Sequence, residues 1–179
     1  MQNERGKDLK KHDAQVKKLL DEIEAQKKHF EKKGMVYTAL DEEQVRAKLN
    51  RVNSPMIVAQ GWGSTVPAGS QLSYTVSIHN PDPGGWVWLF AHVFVGPANP
   101  ISSPGEALVA IDSRFPRLTQ PEFSGLSLAG NESKSLTFSL AVPGSIEPSN
   151  YQGNTFLYQA NWHDVGTYFD RSTFVFKVN

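Results

Sequence analysis

The sequence predicts a mostly β protein: an antiparallel β-sandwich of about seven or eight strands, preceded by an N-terminal helical arm. Three observations predict it. Up to about Asn50 the apolar residues recur at helical spacing on a charged background; after Pro55 the runs alternate apolar and polar with a period of two; and turns rich in Gly, Pro and Asn punctuate that second part. At 179 residues the chain can hold one well-buried domain plus an appendage, which divides it into a helical arm at 1–54 and a sandwich at 55–179.

The arm carries a heptad register with Leu9, Val16, Ile23 and Phe30 at position a and His12, Leu19 and Gln26 at position d. Alternating spacings of three and four keep such a seam turned toward a partner helix, and Glu22 and Lys27 fall at g and the following e, where neighbouring chains form ion pairs. Polar His12 and Gln26 in the seam are tolerated where symmetry mates satisfy them. Leu20 beside Leu19 widens the stripe and suits the alternative, packing against the chain's own head. This helix is expected at about 8–33, with Gly34 ending it. A short helix follows at about 41–51, started by Asp41 with Gln44 three residues on as a capping box, and Asn53-Ser54-Pro55 closes it.

Strands are expected at roughly 56–62, 71–79, 86–95, 107–113, 122–128, 133–142, 154–163 and 168–178. The second puts Leu72, Tyr74, Val76 and Ile78 on one face; the strand near Leu136 repeats the pattern with Leu136, Phe138, Leu140 and Val142. Both read as half-buried strands of one sheet with a wet outer face. Leu126-Ser127-Leu128-Ala129-Gly130-Asn131-Glu132 running into Ser133–Pro143 resembles the turn and strand pair of bacterial immunoglobulin-like modules, including the fibronectin-type and CARDB-like groups. The resemblance implies an immunoglobulin-like sandwich serving adhesion or structure, with no catalytic residues to carry over.

The strand Trp86–Val95 differs from its neighbours because both of its faces are apolar. One offers Val87, Leu89, Ala91, Val93 and Val95; the other offers Trp86, Trp88, Phe90, His92 and Phe94. Only one can face the core, so the other needs a cover or a partner. With the aliphatic face inward, the row Trp86, Trp88, Phe90 and His92 lies outside, beside Gln159, Asn161 and His163. Aromatic planes flanked by amides suit stacking on sugar rings while hydrogen-bonding hydroxyls. Packing against protein is the commoner use of such a row. Trp62 and Trp162 read as core plugs at the sandwich ends.

Composition removes several classes of chemistry. There are 18 basic and 18 acidic side chains, so no net field draws the chain to nucleic acid. There is no cysteine, which removes disulfides, thiolate nucleophiles and cysteine-held zinc. No apolar run approaches the roughly 20 residues a helix needs to cross a bilayer, so membrane insertion is not expected. The N-terminus carries charged helix formers where a secretory signal needs an apolar run, and a cytoplasmic or virion-associated location is expected. Asp82, His163-Asp164 and Asp170 match no ordered metal loop. No nucleophile elbow, phosphate loop or paired catalytic carboxylates are legible, so no catalytic residue, metal or cofactor is assigned and no enzyme is expected. The leading expectation is a non-enzymatic structural or interaction protein: a helix-mediated homo-oligomer, a trimer being one arrangement, that displays sandwich heads within a virion, phage tail or other protein assembly. The alternative is a carbohydrate-binding module that takes a glycan on the aromatic strand face.

Overall fold

The computed structural model describes residues 2–51, 54–97, 118–119, 126–159 and 167–179. In chain order the elements are α1 (Gln2–Lys32), β1 (Val36–Ala39), α2 (Glu42–Arg51), β2 (Met56–Trp62), β3 (Thr65–Val66), β4 (Gln71–His79), β5 (Trp86–Pro97), β6 (Leu118–Thr119), β7 (Leu126–Leu128), β8 (Ser133–Ala141), β9 (Ser149–Gln159) and β10 (Thr167–Val178). They form a four-stranded sheet, β1-β2-β4-β8, and a six-stranded sheet with the path β3-β10-β9-β5-β6, β7 also pairing with β5. Neighbours are antiparallel except β3 and β10, which run parallel. The order β2-β4-β8 against β10-β9-β5 is the arrangement of strands A-B-E against G-F-C in an immunoglobulin sandwich.

Strand alternation fills the space between the sheets. Ile57, Trp62, Leu72, Tyr74, Val76 and Ile78 from one sheet meet Leu89, Ala91, Val93, Val95, Leu157, Phe174 and Phe176 from the other. Trp62 is a core plug as expected, its indole N–H donating to the Val175 carbonyl at 2.9 Å; Trp162 lies outside the described residues, as does the strand expected at 107–113. Gly153 lets the Phe174 ring lie against the β9 backbone where any Cβ would collide with it. A polar bridge runs through this core: the Tyr74 hydroxyl donates to Gln60 Oε1 at 2.9 Å and lies 2.7 Å from Thr155 Oγ1, while the Gln60 amide donates to the Thr173 carbonyl. Burial pushes the Tyr74 phenol well above its ordinary value, so it stays a neutral donor.

The largest departure from expectation concerns the arm. α1 lies across the outer face of the four-stranded sheet, and a second apolar cluster forms there from Val16, Leu19 and Ile23 of α1, Val45 of α2, and Met56 and Val58 of β2. Phe30 is fully buried, and Gly61 makes room for it: a Cβ at that position would collide with the ring. Of the expected oligomerisation seam, Val16, Leu19, Ile23 and Phe30 are thus covered by the chain's own head. Gln26 donates to Ser135 Oγ at 3.0 Å, His12 is half-buried, and the side chain of Leu9 is not among those described. The physical reason is that a three-four apolar spacing serves a sheet as well as it serves a helix, and the sheet is tethered at high effective concentration.

The segment expected to be a separate arm also joins the sheet. A Schellman turn ends α1: Met35 N–H bonds the Phe30 carbonyl at 2.9 Å, Gly34 N–H bonds the Glu31 carbonyl at 3.0 Å, and Gly34 takes φ +67°. The chain then reverses into β1, whose residues Val36–Ala39 pair with Ala59–Trp62 of β2. Both bonds of the capping box form, Gln44 N–H to Asp41 Oδ1 at 2.8 Å and Asp41 N–H to Gln44 Oε1 at 3.0 Å. α2 is clamped to the far sheet where Asp170 Oδ2 accepts from Lys48 Nζ at 2.7 Å and from Ile57 N–H at 2.8 Å.

β4 and β8 do share a sheet, but the outer face of β4 is wet only at its start, where Ser73 is exposed, and is buried from Thr75 on. Thr75, Ser77 and His79 are buried beneath α1. Hydroxyls pair across the strands, Thr75 with Thr137 at 3.0 Å and Ser77 with Ser135 at 2.8 Å. At the end of the row Ser133 donates to Glu22 of α1 at 2.5 Å, so its oxygen accepts from His79 Nδ1 at 2.7 Å and fixes the neutral tautomer protonated at Nδ1. Burial lowers His79 below the ordinary imidazole value; Glu22 opposes the shift and Lys18 adds to it.

Two outcomes follow from the docked helix. Phe30→Ala should cost about 3 kcal/mol or more in urea unfolding and Gly61→Ala about 1–3 kcal/mol. The Gly61→Ala penalty should largely vanish in the Phe30→Ala background, whereas additive costs would mean the two sites do not touch. For His79, the unfolded chain takes up the proton first because the folded value is the lower one, so stability is lost as pH falls below about 6.5. Unfolding midpoints measured between about pH 7.5 and about pH 5.5 should fall more steeply for wild type than for His79→Gln; equal slopes would contradict the assignment.

Candidate binding face

β5 and β9 pair antiparallel through Leu89–Pro97 and Tyr151–Gln159, and directly paired residues share a face. Ala91 pairs with Leu157 and Val93 with Thr155, all of them buried in the sandwich core or its polar bridge. The aliphatic face of β5 is therefore the inner one. The other set, His92 with Phe156 and Phe94 with Asn154, points away from the core. β10 extends that outer face, since Thr173 pairs with Asn154 and Val175 with Gln152.

The face has a buried polar centre bordered by half-exposed rings. His92, Gln152 and Asn154 are buried, Phe94, Phe156 and Tyr158 are half-exposed, and Val175 is 49% exposed. The Tyr158 hydroxyl hydrogen-bonds His92 Nε2, with the two rings edge to face at 4.7 Å. Phe94 and Phe156 meet edge to face at 5.8 Å, and the Gln152 amide donates to Asn154 Oδ1 at 3.3 Å. No carboxylate stands at these positions; Arg171 and Lys177 of β10 share their parity. Chemically the face offers planes, amides and an imidazole. Its Tyr158 hydroxyl is held on the His92 imidazole.

Three residues expected in the aromatic row need correction or stand aside. Trp86 pairs with Leu128, which is buried in the core, and a register shift lies between Trp86 and Leu89. That irregularity turns Trp86 to the core side, where it packs edge to face on Phe169 at 5.1 Å. Gln159 pairs with Leu89, so it belongs to the inner parity, and the residues that do flank His92 and Phe94 are Gln152, Asn154, Phe156 and Tyr158. A one-residue error in register exchanges the two faces of a strand, which is why sequence alone put Gln159 on the outer side. Trp88 and Phe90 lie within β5, Phe90 paired with Tyr158, and their side chains are not among those described. Asn161, His163 and Asp164 lie outside the described residues.

The remaining sequence candidates have local roles. Asp82 accepts from Gly84 N–H at 2.8 Å, and Asn80 binds the same turn through its amide, donating to the Gly84 and Ala129 carbonyls at 2.9 Å. Asp170 is engaged with Lys48 and two backbone N–H groups. The Ser-His-Glu chain at Ser133 runs the wrong way for a nucleophile, because the serine proton is given to Glu22 rather than to His79.

No family model matches the sequence, and no curated protein matches it. Among solved structures, the C-terminal domain of wzt superposes with a TM-score of 0.51 at 10% identity, covering 81% of this chain and 78% of that one. A CARDB domain from Pyrococcus furiosus, solved in complex with di-metal ions, gives 0.41 at 16% identity over 70% of this chain and 90% of that one. A sporulation control protein of Bacillus subtilis gives 0.44 at 9% identity over 71% and 50%. Identities this low speak to fold alone. With the strand order above, the chain is an immunoglobulin-like β-sandwich.

Proposed function

We propose that the protein is a non-enzymatic binding module that takes a glycan on the outer face of its six-stranded sheet. The observation that carries this reading is the composition of the side turned away from the core. Half-exposed Phe94, Phe156 and Tyr158 border buried Gln152, Asn154 and His92. Rings of this kind cover the apolar faces of sugars, while the buried amides and imidazole beneath them hold the rings in place. The preorganised contacts among His92, Tyr158, Phe94 and Phe156 reduce the ordering a ligand would otherwise impose. The helix-mediated assembly loses the surface it required, because α1 spends its stripe on its own head.

A glycan array with wild type and Phe156→Ala tests the proposal. Wild type should bind one glycan class, and the variant should bind it at least about tenfold more weakly, about 1.4 kcal/mol, with an unchanged unfolding midpoint for a control such as Thr65→Ala. A wild type that binds no glycan, or a Phe156→Ala protein that folds and binds equally well, overturns it.

A further inference from the structure

Natural sheets blunt their edges, and most edges here are blunted by length. β1 has four residues, β3 two, β6 two and β7 three. β8 is the exception. It has nine residues, contains no proline, carries Lys134 as its single charge, and pairs with β4 from Ser133 to Ala141 without a register shift. Among the described residues no strand pairs with its far side. In an immunoglobulin sandwich of the constant type that side is taken by strand D; here the described short strands of the intervening connection, β6 and β7, pair with β5 in the opposite sheet.

We propose that the edge of β8 with which no described strand pairs is a homodimer interface, two copies pairing antiparallel about a two-fold axis at Thr137. The strand is self-complementary in that register. Thr137 meets Thr137 of the second copy, Ser135 meets Ser139, and on the opposite face Leu136 meets Phe138. The outer row Ser133, Ser135, Thr137, Ser139 already makes hydroxyl pairs on its inner side, at 3.0 Å from Thr137 to Thr75 and 2.8 Å from Ser135 to Ser77, so two-fold pairing carries the same rungs across the axis. Ser135, Thr137 and Ser139 are exposed, and Leu136 is half-buried at the rim of the core, where a second Phe138 would complete its cover. The two Lys134 side chains fall at opposite ends of the paired strands, each drawn back to the Ser127 carbonyl of its own copy, and the chain has no net charge to oppose association. A closed isologous contact of this kind stops at two copies.

The test uses the full chain and its lack of cysteine. Sedimentation equilibrium should give a dimer for wild type and a monomer for Thr137→Lys, which sets two ammonium groups opposite one another on the axis. Thr137→Cys should form a disulfide between chains under mild oxidation. Ser135→Cys and Ser139→Cys should link to each other when mixed and link far less when each is alone. Those arms report register even if Thr137→Lys folds poorly. A wild type that stays monomeric at every concentration, a dimer that survives Thr137→Lys, or cysteines at 135, 137 and 139 that link no better than one at exposed Thr65 would overturn the proposal. It stands apart from the glycan reading, which concerns the other sheet.

Discussion

The apolar stripe of α1 and the outer face of the four-stranded sheet each need cover, and each supplies it for the other. Val16, Leu19, Ile23 and Phe30 leave water only because Met56, Val58 and Gly61 lie beneath them. In turn Thr75, Ser77 and His79 can be buried on the outer side of β4 because Glu22 and Gln26 of the helix close the hydrogen bonds of the serine row. Most helical stability in proteins comes from packing an apolar face, so the docking supports the helix as the helix covers the sheet. What reads as a stalk and a head is one unit with two apolar layers, one on either side of the four-stranded sheet.

This arrangement decides which surfaces remain for function. The inner faces of both sheets are spent on the core, and α1 covers much of the four-stranded sheet's outer side. Among the described elements no helix lies over the outer face of the six-stranded sheet and no strand pairs with the far side of β8. The first is aromatic and amide-rich, suited to a ligand with hydroxyls and apolar planes. The second is a strand edge with no partner strand among the described residues, bordered by small hydroxyls and suited to another strand.

Much of this was legible in the sequence. The sandwich class, the alternation of β4 and β8, the capping box at Asp41 and the core position of Trp62 all follow from period and local turn chemistry, whereas which face of β5 turns inward had to come from its pairing with β9. The destination of α1 was not, because a heptad stripe states that a helix has a side to bury and does not state against what. Met35-Val36-Tyr37 reads as no more than a short extended or turn segment, because so few residues between two helices carry little pattern, and the strand character of β1 comes from pairing with β2. Trp86 and Gln159 went to the wrong face because parity beyond a bulge cannot be read from alternation. Phe156, Tyr158, Gln152 and Asn154 were within reach: had the strand been started at Ser149, their alternation with Gly153, Thr155 and Leu157 would have placed them beside His92 and Phe94.

Amide hydrogen exchange along α1 tests the docked helix most directly. The amides of Leu19, Ile23 and Phe30 should exchange about as slowly as those of the central strand β4, and their rates should not change when the protein is diluted, because the cover lies in the same chain. Rates like those of an isolated helix, or protection that fades on dilution, would show that the stripe is bare or covered by another molecule, and the intramolecular docking would be wrong.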